Sequence, residues 1–563
     1  MVETKGGNFV MPTIDVHKQD LEELVGRKFT IEELEESLKF VKGEIDGVSG
    51  HELKIEIKST DRPDLWNVEG IARVLRAHYS KNQGIPKYNV IKPELTINVS
   101  EKVKKVRPCI AAAIIRDIKI DDDILKQLIQ AQEKIAGTFG RRRREVAIGI
   151  FNLDKIVPPL LYTATKPDGL KFEPLDGERK MTPAEVLEIH PKGKEFAHLV
   201  NSHDVYPIII DGANDVVSMP PIINSEKSGR VTKRSKNLLI EVTGLEMRNV
   251  ETALNILAMS LADRGGKIEQ VNIVDSRDNI IVTPTFAVKD FKVDKYLIKR
   301  TFGFMPSDKE IKSLLERSRY NVVSVDKTDD GHVHLQFPTY RQDIMHAMDV
   351  VEDMLMAYGF DNIEPHYPEF FTQGELKPAT VRNRKLREIM VGTGAQEIST
   401  FILTNKKNLF EKMNLPDDEI VEIANPVSSN WSVMRSWLTP SLVELLSKNT
   451  NVEYPQKIFE LGQCVKLNTR SQVGSEEMWK MAYSEAGSKV NFTHAKTILQ
   501  AYARTLGKEL KVVSKDHPMF ITGRSGQVYL DGTAVGIIGE LHPQVLSNWK
   551  IEVPVVVWEI EIR

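Results

Sequence analysis

Arg341-Gln342-Asp343-Ile344-Met345-His346-Ala347-Met348-Asp349-Val350-Val351-Glu352-Asp353 is the stretch on which the reading of this chain turns. Asp349, Glu352 and Asp353 stand at i, i+3 and i+4, so a helix places their carboxylates on one face, with Asp343 one to two turns upstream. Four hard oxygen donors without sulfur or a histidine pair suit Mg²⁺ better than Zn²⁺. Carboxylates this close repel unless a cation or an arginine offsets them. The same spacing also describes an acidic first turn that complements the helix dipole, and the residues by themselves leave both readings open.

Working outward, residues 348–358 form a helix that Gly359 stops. Before it lie strand-like residues 279–291, a helical stretch at 307–318, and a hairpin of 321–325 with 332–337 across a turn-rich connection. Residues 272–362 are thus expected to be a small α+β domain. At the other end, Thr30-Ile31-Glu32-Glu33 is a capping box, and Leu53, Ile55 and Ile57 alternate with polar residues as in a half-buried strand. Ser59-Thr60-Asp61-Arg62-Pro63-Asp64 is a rigid polar loop, followed by a helix with Leu65, Val68, Ile71, Ala72 and Leu75 on one face. Residues 1–90 read as an α/β module. Residues 107–265 alternate apolar strands (146–150, 206–210, 238–242) with Pro- and Gly-containing connections, which predicts a mixed α/β domain. Residues 365–563 open with a helix near 380–392, start another at Thr439-Pro440 and close in a β-rich stretch at 527–562.

Two further clusters carry chemical groups. Met219-Pro220-Pro221-Ile222-Ile223-Asn224-Ser225-Glu226 fixes a rigid approach and then offers polar side chains, while strand 238–242 leads through Glu241 to Thr243; a capped turn is the plainer account. Gly140-Arg141-Arg142-Arg143-Arg144 is the densest positive run, equally a solvated turn or a phosphate contact. His198 and His203 fit no metal spacing.

Composition sets the outer limits. A chain of 563 residues implies about three to five domains. With 76 Lys plus Arg against 79 Asp plus Glu there is no global basic field, so any nucleic acid must be met by local patches. Cys109 and Cys464 are far apart, which excludes a cysteine zinc cage and points to a reducing cytoplasm. Apolar runs such as 109–115 fall short of a membrane span, and the polar N-terminus does not resemble a signal peptide. No GxxxxGK[ST], HExxH, GxSxG or GxGxxG with its acidic partner occurs, so P-loop, zincin, hydrolase and Rossmann readings lack support.

Taken together, the motifs resemble the β subunit of phenylalanyl-tRNA synthetase. The resemblance rests on Ser59 to Asp64 with Val68-Glu69-Gly70-Ile71-Ala72-Arg73, Pro220-Pro221-Ile222-Ile223-Asn224-Ser225, and Asp343 to Asp353 with Ala357-Tyr358-Gly359-Phe360. Asn425-Pro426-Val427-Ser428-Ser429 with Val433-Met434-Arg435, and Gly539-Glu540-Leu541-His542-Pro543, add to it. It runs in family order from about residue 11 and is closest to the shorter archaeal and eukaryotic form, without the tRNA-binding and anticodon-binding modules of the bacterial form.

The resemblance implies an α+β multidomain chain: an N-terminal α/β module, a mixed α/β editing domain at 107–265, a small metal-carrying α+β domain, and at 365–563 a class II synthetase-like antiparallel domain without catalysis. It implies an (αβ)₂ heterotetramer with the α subunit, which uses ATP to join phenylalanine to tRNA. Mg²⁺ is expected on Asp343, Asp349, Glu352 and Asp353, and no cofactor site beyond it. Hydrolysis of mischarged Tyr-tRNA is expected from Asn224, Ser225, Glu226, Glu241 and Thr243, with Glu241 where the family is expected to carry Asp. Arg141, Arg142, Arg143 and Arg144 are candidate tRNA contacts. The turn 536–540 would place Glu540 where a synthetase carries a phosphate-binding arginine, and a carboxylate there would repel a triphosphate. Two other readings remain: a free-standing tRNA-ester hydrolase, and a scaffold for the α subunit with no activity of its own.

Overall fold

Alternation at Leu53, Ile55 and Ile57 makes Glu52–Ile57 the centre of a three-stranded antiparallel sheet, flanked by Thr13–His17 and Gly43–Ser49, with Ile14 opposite Ile55 and Val16 opposite Leu53. This computed structural model describes residues 13–328 and 330–562 and divides into two units, Met1–Tyr367 and Pro368–Arg563. The first residues of the 1–90 module and the polar N-terminus lie at 1–12, outside the described residues. Helix Ile31–Leu38 starts at the Thr30 capping box. Leu65 does not share the next helix: it sits in a separate 3₁₀ turn, Pro63–Leu65, because the Asn67 side chain accepts from Gly70 N at 2.7 Å and begins helix Val68–Tyr79 there. Gly70 is required at that corner, since a β carbon would lie 1.7 Å from Asp64 O.

A ten-stranded mixed sheet follows. Its order is Ile223–Asn224, Val216–Met219, Tyr206–Ile210, Leu160–Thr165, Val90–Val99, Lys267–Val274, Cys109–Arg116, Leu238–Gly244 and Val146–Asn152, with Ile280–Thr283 attached to Lys267–Val274. The sheet thus recruits strands from both sides of 107–265. Helices Met247–Asp263 and Asp122–Lys134 cover one face, over Ala111, Ala113, Ile115, Ile240 and Val242. Residues 279–291, read as one strand, are two: Ile280–Thr283 belongs to this sheet and Val288–Asp294 to the next. Pro284 follows the first of them and has no N–H to continue the ladder.

The next sheet has Val288–Asp294, His332–Pro338 and Asn321–Val325, backed by helices Lys295–Phe302, Asp308–Arg317 and Ala347–Tyr358. In the second unit a seven-stranded sheet is antiparallel apart from the pairing of Gln396–Glu397 with Gln456–Leu467. Residues 536–540 are not a turn but part of its strand Thr533–Leu541. The glycines there mark close approach: a β carbon on Gly536 would meet Glu559 O at 1.9 Å, and one on Gly539 the Phe520 ring at 2.5 Å. Glu540 accepts from Phe492 N at 2.8 Å and pairs with Arg524 at 2.7 Å. Among the described residues no helix is long and apolar enough to cross a membrane.

Buried ion pairs join the parts of the first unit. Arg73 and Arg76, on helix Val68–Tyr79, reach Asp263 at 2.9 and 3.2 Å, and Tyr88 donates to the same carboxylate. Arg264 forks onto Asp20 at 2.8 and 2.9 Å and also pairs with Glu69. Arg319 donates to the carbonyls of Arg73, Asn82 and Gly84 at 2.9, 2.8 and 3.2 Å. Asp263→Ala would strand the buried Arg73 and is expected to cost about 3–5 kcal/mol, seen as a lower urea midpoint; a wild-type midpoint would show that these pairs do not hold the layers together.

Candidate functional site

Every residue of strand Leu238–Gly244 is buried, and Glu241 and Thr243, two apart, share a face. Glu241 pairs with Gly149 on the neighbouring strand Val146–Asn152, where a β carbon would lie 2.5 Å from the Glu241 carboxylate and from the Phe151 ring. Only glycine leaves room for the acid. Val146–Asn152 ends the ten-stranded order, and Ile223–Asn224 ends it on the other side, yet Asn224 Nδ2 donates to Ile150 O at 3.4 Å. The sheet curls until its two ends meet, and a cavity of about 430 Å³ lies at the junction. Its walls are largely apolar, with Leu128, Ile129, Ile148, Pro221 and Ile222; its polar groups include Gln132, Asn224, Glu241 and Thr243.

Glu241 is 3% exposed and its Oε1 has no hydrogen-bond partner. Burial pushes its carboxyl up to about 7, against the opposing pull of Arg107 and of the Thr243 hydroxyl. A carboxyl poised near neutrality, with spare acceptor capacity in an apolar pocket, is suited to reading a hydroxyl on a bound ligand.

Of the five residues expected here, Asn224, Glu241 and Thr243 line the cavity, whereas Ser225 and Glu226 do not. Ser225 is buried with its Oγ 2.9 Å from that of Ser228, and Glu226 turns to Arg230 at 2.9 Å and to Asp176 N at 3.0 Å. The arginine run divides as well. Arg141, Arg142 and Arg143 have φ of 47°, 55° and 66°, left-handed backbone that costs about 1–2 kcal/mol per residue. Arg141, Arg142 and Arg144 are exposed, while Arg143 lies 4.3 Å from the Phe196 ring and donates to Ile222 O at 2.9 Å at the cavity wall. Sequence reasoning missed Gly149, Arg107, Gln132 and His190; His190 is a buried wall residue whose Nε2 lies 3.1 Å from Leu175 O.

The acidic stretch occupies a different place. Asp343, Asp349, Glu352 and Asp353, together with Asp61, border a cavity of about 40 Å³ that Lys42 and Arg62 also line. Arg341, buried behind it, binds Asp343 at 2.5 Å and Asp353 at 2.7 Å, and Tyr320 donates to Asp353 at 2.6 Å. Burial opposes ionisation of Asp343, but Arg341 and Arg62 hold its carboxyl down at about 2. Asp349 caps helix Ala347–Tyr358 by accepting from Met345 N and His346 N at 2.8 and 2.6 Å, and Glu352 pairs with Lys42 at 2.8 Å. Oxygen donors alone, and five carboxylates against two cations in the lining, fit a hard divalent cation in donor type and charge. With the side chains placed as they are, no three His, Cys, Asp or Glu residues among those described are arranged to hold a metal.

Comparison with known proteins covers these parts. A family model described as the phenylalanyl tRNA synthetase beta chain CLM domain matches residues 363–562, and one described as the tRNA synthetase B5 domain matches 291–360. The chain is 48% identical over 557 residues to the phenylalanine–tRNA ligase beta subunit of Pyrococcus abyssi, covering 98% of this chain and 99% of that protein. It is 38% identical over 558 residues to that of Methanocella arvoryzae, with 98% and 99% covered. Among solved structures, an N-terminal fragment of the phenylalanyl-tRNA synthetase beta subunit of Pyrococcus horikoshii superposes with a TM-score of 0.59 at 46% identity, over 62% of this chain and 99% of the fragment.

The poise of Glu241 has a measurable consequence for stability. An unfolded glutamate titrates near 4.5 and the folded one near 7. Below the first value both states are protonated and nothing is lost; between them only the unfolded chain releases its proton, so the folded state weakens as pH rises. The loss is complete above the second value, at about 3 kcal/mol. Glu241→Gln mimics the protonated acid and is expected to abolish this slope, so that wild type falls in melting temperature relative to the variant between about pH 5 and pH 8. Parallel curves would mean that Glu241 is already ionised in the fold.

Proposed function

The chain belongs to the phenylalanine–tRNA ligase β-subunit family and is a subunit of an aminoacyl-tRNA synthetase; on that premise we propose that its 430 Å³ pocket hydrolyses tRNA mischarged with tyrosine. In this reading the chain works in a cytoplasmic (αβ)₂ tetramer whose α subunit joins phenylalanine to tRNA with ATP. The need for a second site is chemical. Tyrosine adds one hydroxyl to phenylalanine, and an apolar pocket rejects such an addition by only about a hundredfold.

One observation carries the proposal: a buried carboxyl held near neutrality, Glu241, and a threonine hydroxyl, Thr243, line the same wall of a cavity of about 430 Å³ whose lining is largely apolar. Tyrosine would donate its phenolic proton to Glu241, whereas phenylalanine would leave that acceptor desolvated and unpaired. In the hydrolysis, water oxygen adds to the ester carbonyl carbon and the bond to the ribose oxygen breaks, releasing tyrosine and free tRNA. Arg141 and Arg142, projecting from the left-handed turn, would meet phosphate. Glu540, held by Arg524 within a strand, supports a structural role for the second unit.

Mg²⁺ belongs to the same proposal. Asp349 and Glu352, and Asp343 and Asp353 whose charge Arg341 now offsets, would hold it, and bound there the ion would neutralise the carboxylates left in excess around the cavity. These carboxylates would then sit at the contact with the α subunit.

Glu241→Gln in the αβ enzyme is expected to slow Tyr-tRNA hydrolysis about tenfold or more at pH 8 while leaving phenylalanylation intact; hydrolysis at the parent rate would place the editing pocket elsewhere. For the metal, sedimentation of mixed subunits across a Mg²⁺ titration is expected to show weaker αβ association in Asp349→Ala at low Mg²⁺. Assembly that ignores both the substitution and the ion would remove Mg²⁺ from this cavity.

A further inference from the structure

Residues 364–377 connect the two units, and none of them enters a helix or strand. All are exposed, and among the described residues 364–376 make no hydrogen bond, ion pair or ring contact. Helix Pro378–Gly392 follows, with Thr380 N donating to Lys377 O at 2.8 Å. A polar connector can stand in water in this way, but this one is not polar throughout. Tyr367, Phe370 and Phe371 put three aromatics into a stretch of fourteen residues, in a chain that is 7% aromatic. Tyr367 is 90% exposed, Phe370 76% and Phe371 wholly so, with Leu376 half-exposed behind them. Connectors that stay in water are poor in aromatics, because apolar surface left outside a core is unfavourable. A cluster of exposed aromatics marks a surface that another molecule covers.

The size of the cluster fits a protein partner. An aromatic side chain buries about 150–250 Å², so the three together bring about 450–750 Å², most of the roughly 800 Å² that one partner gives to a standard interface. Its charge narrows the choice of partner. Glu364, Glu369 and Glu375 are interleaved with the aromatics, and among the described residues none of them pairs with a cation of this chain. Two such stretches from two copies, laid side by side, would set carboxylate against carboxylate, so the complementary surface is that of a different chain with cations at its rim. Pro365, Pro368 and Pro378 each hold φ at about −65°, which reduces the entropy lost when the stretch is ordered on a partner.

Resting on the reading of this chain as one subunit of an αβ enzyme, we propose that residues 364–377 are a docking arm for the α subunit. Tyr367, Phe370 and Phe371 seat in an apolar groove of that subunit, and the interleaved glutamates meet basic residues along its edge. The arm binds as an extended strap, separate from the carboxylates around the small cavity.

Chymotrypsin, which cuts after aromatic residues, probes the arm directly. In the purified full-length β chain the bonds after Phe370 and Phe371 are expected to be cut first, and saturating α subunit is expected to slow that cutting about tenfold or more. Sedimentation gives the second measurement. A β chain carrying both Phe370→Ser and Phe371→Ser is expected to bind α at least about tenfold more weakly, the loss of buried aromatic anchors. Its melting temperature is expected to match wild type, since these rings touch nothing in their own chain. Val513→Ser, which removes another exposed apolar side chain, is expected to change the affinity less than about twofold. A bound α subunit that leaves the arm open to cutting, or a double variant that binds as tightly as wild type, would overturn the proposal. So would a lowered melting temperature, which would place the rings on their own chain, or cutting that slows with β concentration alone, which would assign the arm to a second copy. Wild-type chains that do not associate at all would sink the αβ reading and this inference with it; association with an unprotected arm sinks this inference alone.

Discussion

Burying a guanidinium is tolerated only where a carboxylate or a set of carbonyls answers its charge, and this demand organises the first unit. The side chains of Arg73, Arg264 and Arg319 are buried, and each ties helix Val68–Tyr79 to another segment: Arg73 by reaching Asp263, Arg264 by joining Glu69 to Asp20, and Arg319 by donating to the Arg73 carbonyl. Asp263 and Arg264 stand at the C-terminal end of helix Met247–Asp263, so the contacts that satisfy the arginines also fix that helix in register. Because it packs on strands Cys109–Arg116 and Leu238–Gly244, the arginines indirectly set the floor on which Glu241 and Thr243 stand. Such networks contribute little net stability; what they specify is a single arrangement, since sliding any layer by one residue would orphan a buried charge.

The two acidic sites show opposite treatments of a buried carboxylate. Around the small cavity, Arg341 and Arg62 answer Asp343 directly, and its carboxyl stays ionised. In the large pocket, Arg107 stands behind Thr243 and reaches Glu241 only through space, so burial prevails and the carboxyl rises toward neutrality. A fully compensated acid is chemically quiet until a stronger cation displaces its partner. A partly compensated one keeps acceptor capacity in reserve, and that reserve is what a ligand can use.

Local periodicity and capping made much of the fold legible. Alternation in 51–58, the Thr30 capping box and Gly359 after 348–358 all describe elements that depend on near neighbours in the chain. What sequence could not carry was long-range. Arg107 is a lone arginine with no motif, and its hydrogen-bond partner Thr243 lies 136 positions away. Ser225 and Glu226 follow a motif that does reach the pocket, but only Asn224 faces in, because the chain enters a short helix immediately afterwards. Residues 536–540 looked like a turn because their glycines, which make room for Glu559 and Phe520 from other strands, resemble turn glycines when read alone.

The pocket itself follows from an incomplete closure. Val146–Asn152 is an edge strand, and edges expose carbonyls that invite another strand. Here side-chain amides cap them instead: Gln132 donates to Ile148 O at 2.7 Å and Asn224 to Ile150 O at 3.4 Å. Had Ile223–Asn224 paired with this edge through its backbone, the sheet would have closed into a barrel whose side chains filled the space. Amide capping satisfies the edge while holding the two ends a side chain apart, and the cavity lies at that junction. The same strand supplies Gly149, whose missing side chain leaves room for the Glu241 carboxylate. A substitution that improved strand pairing at this edge would therefore stabilise the sheet at the expense of the site.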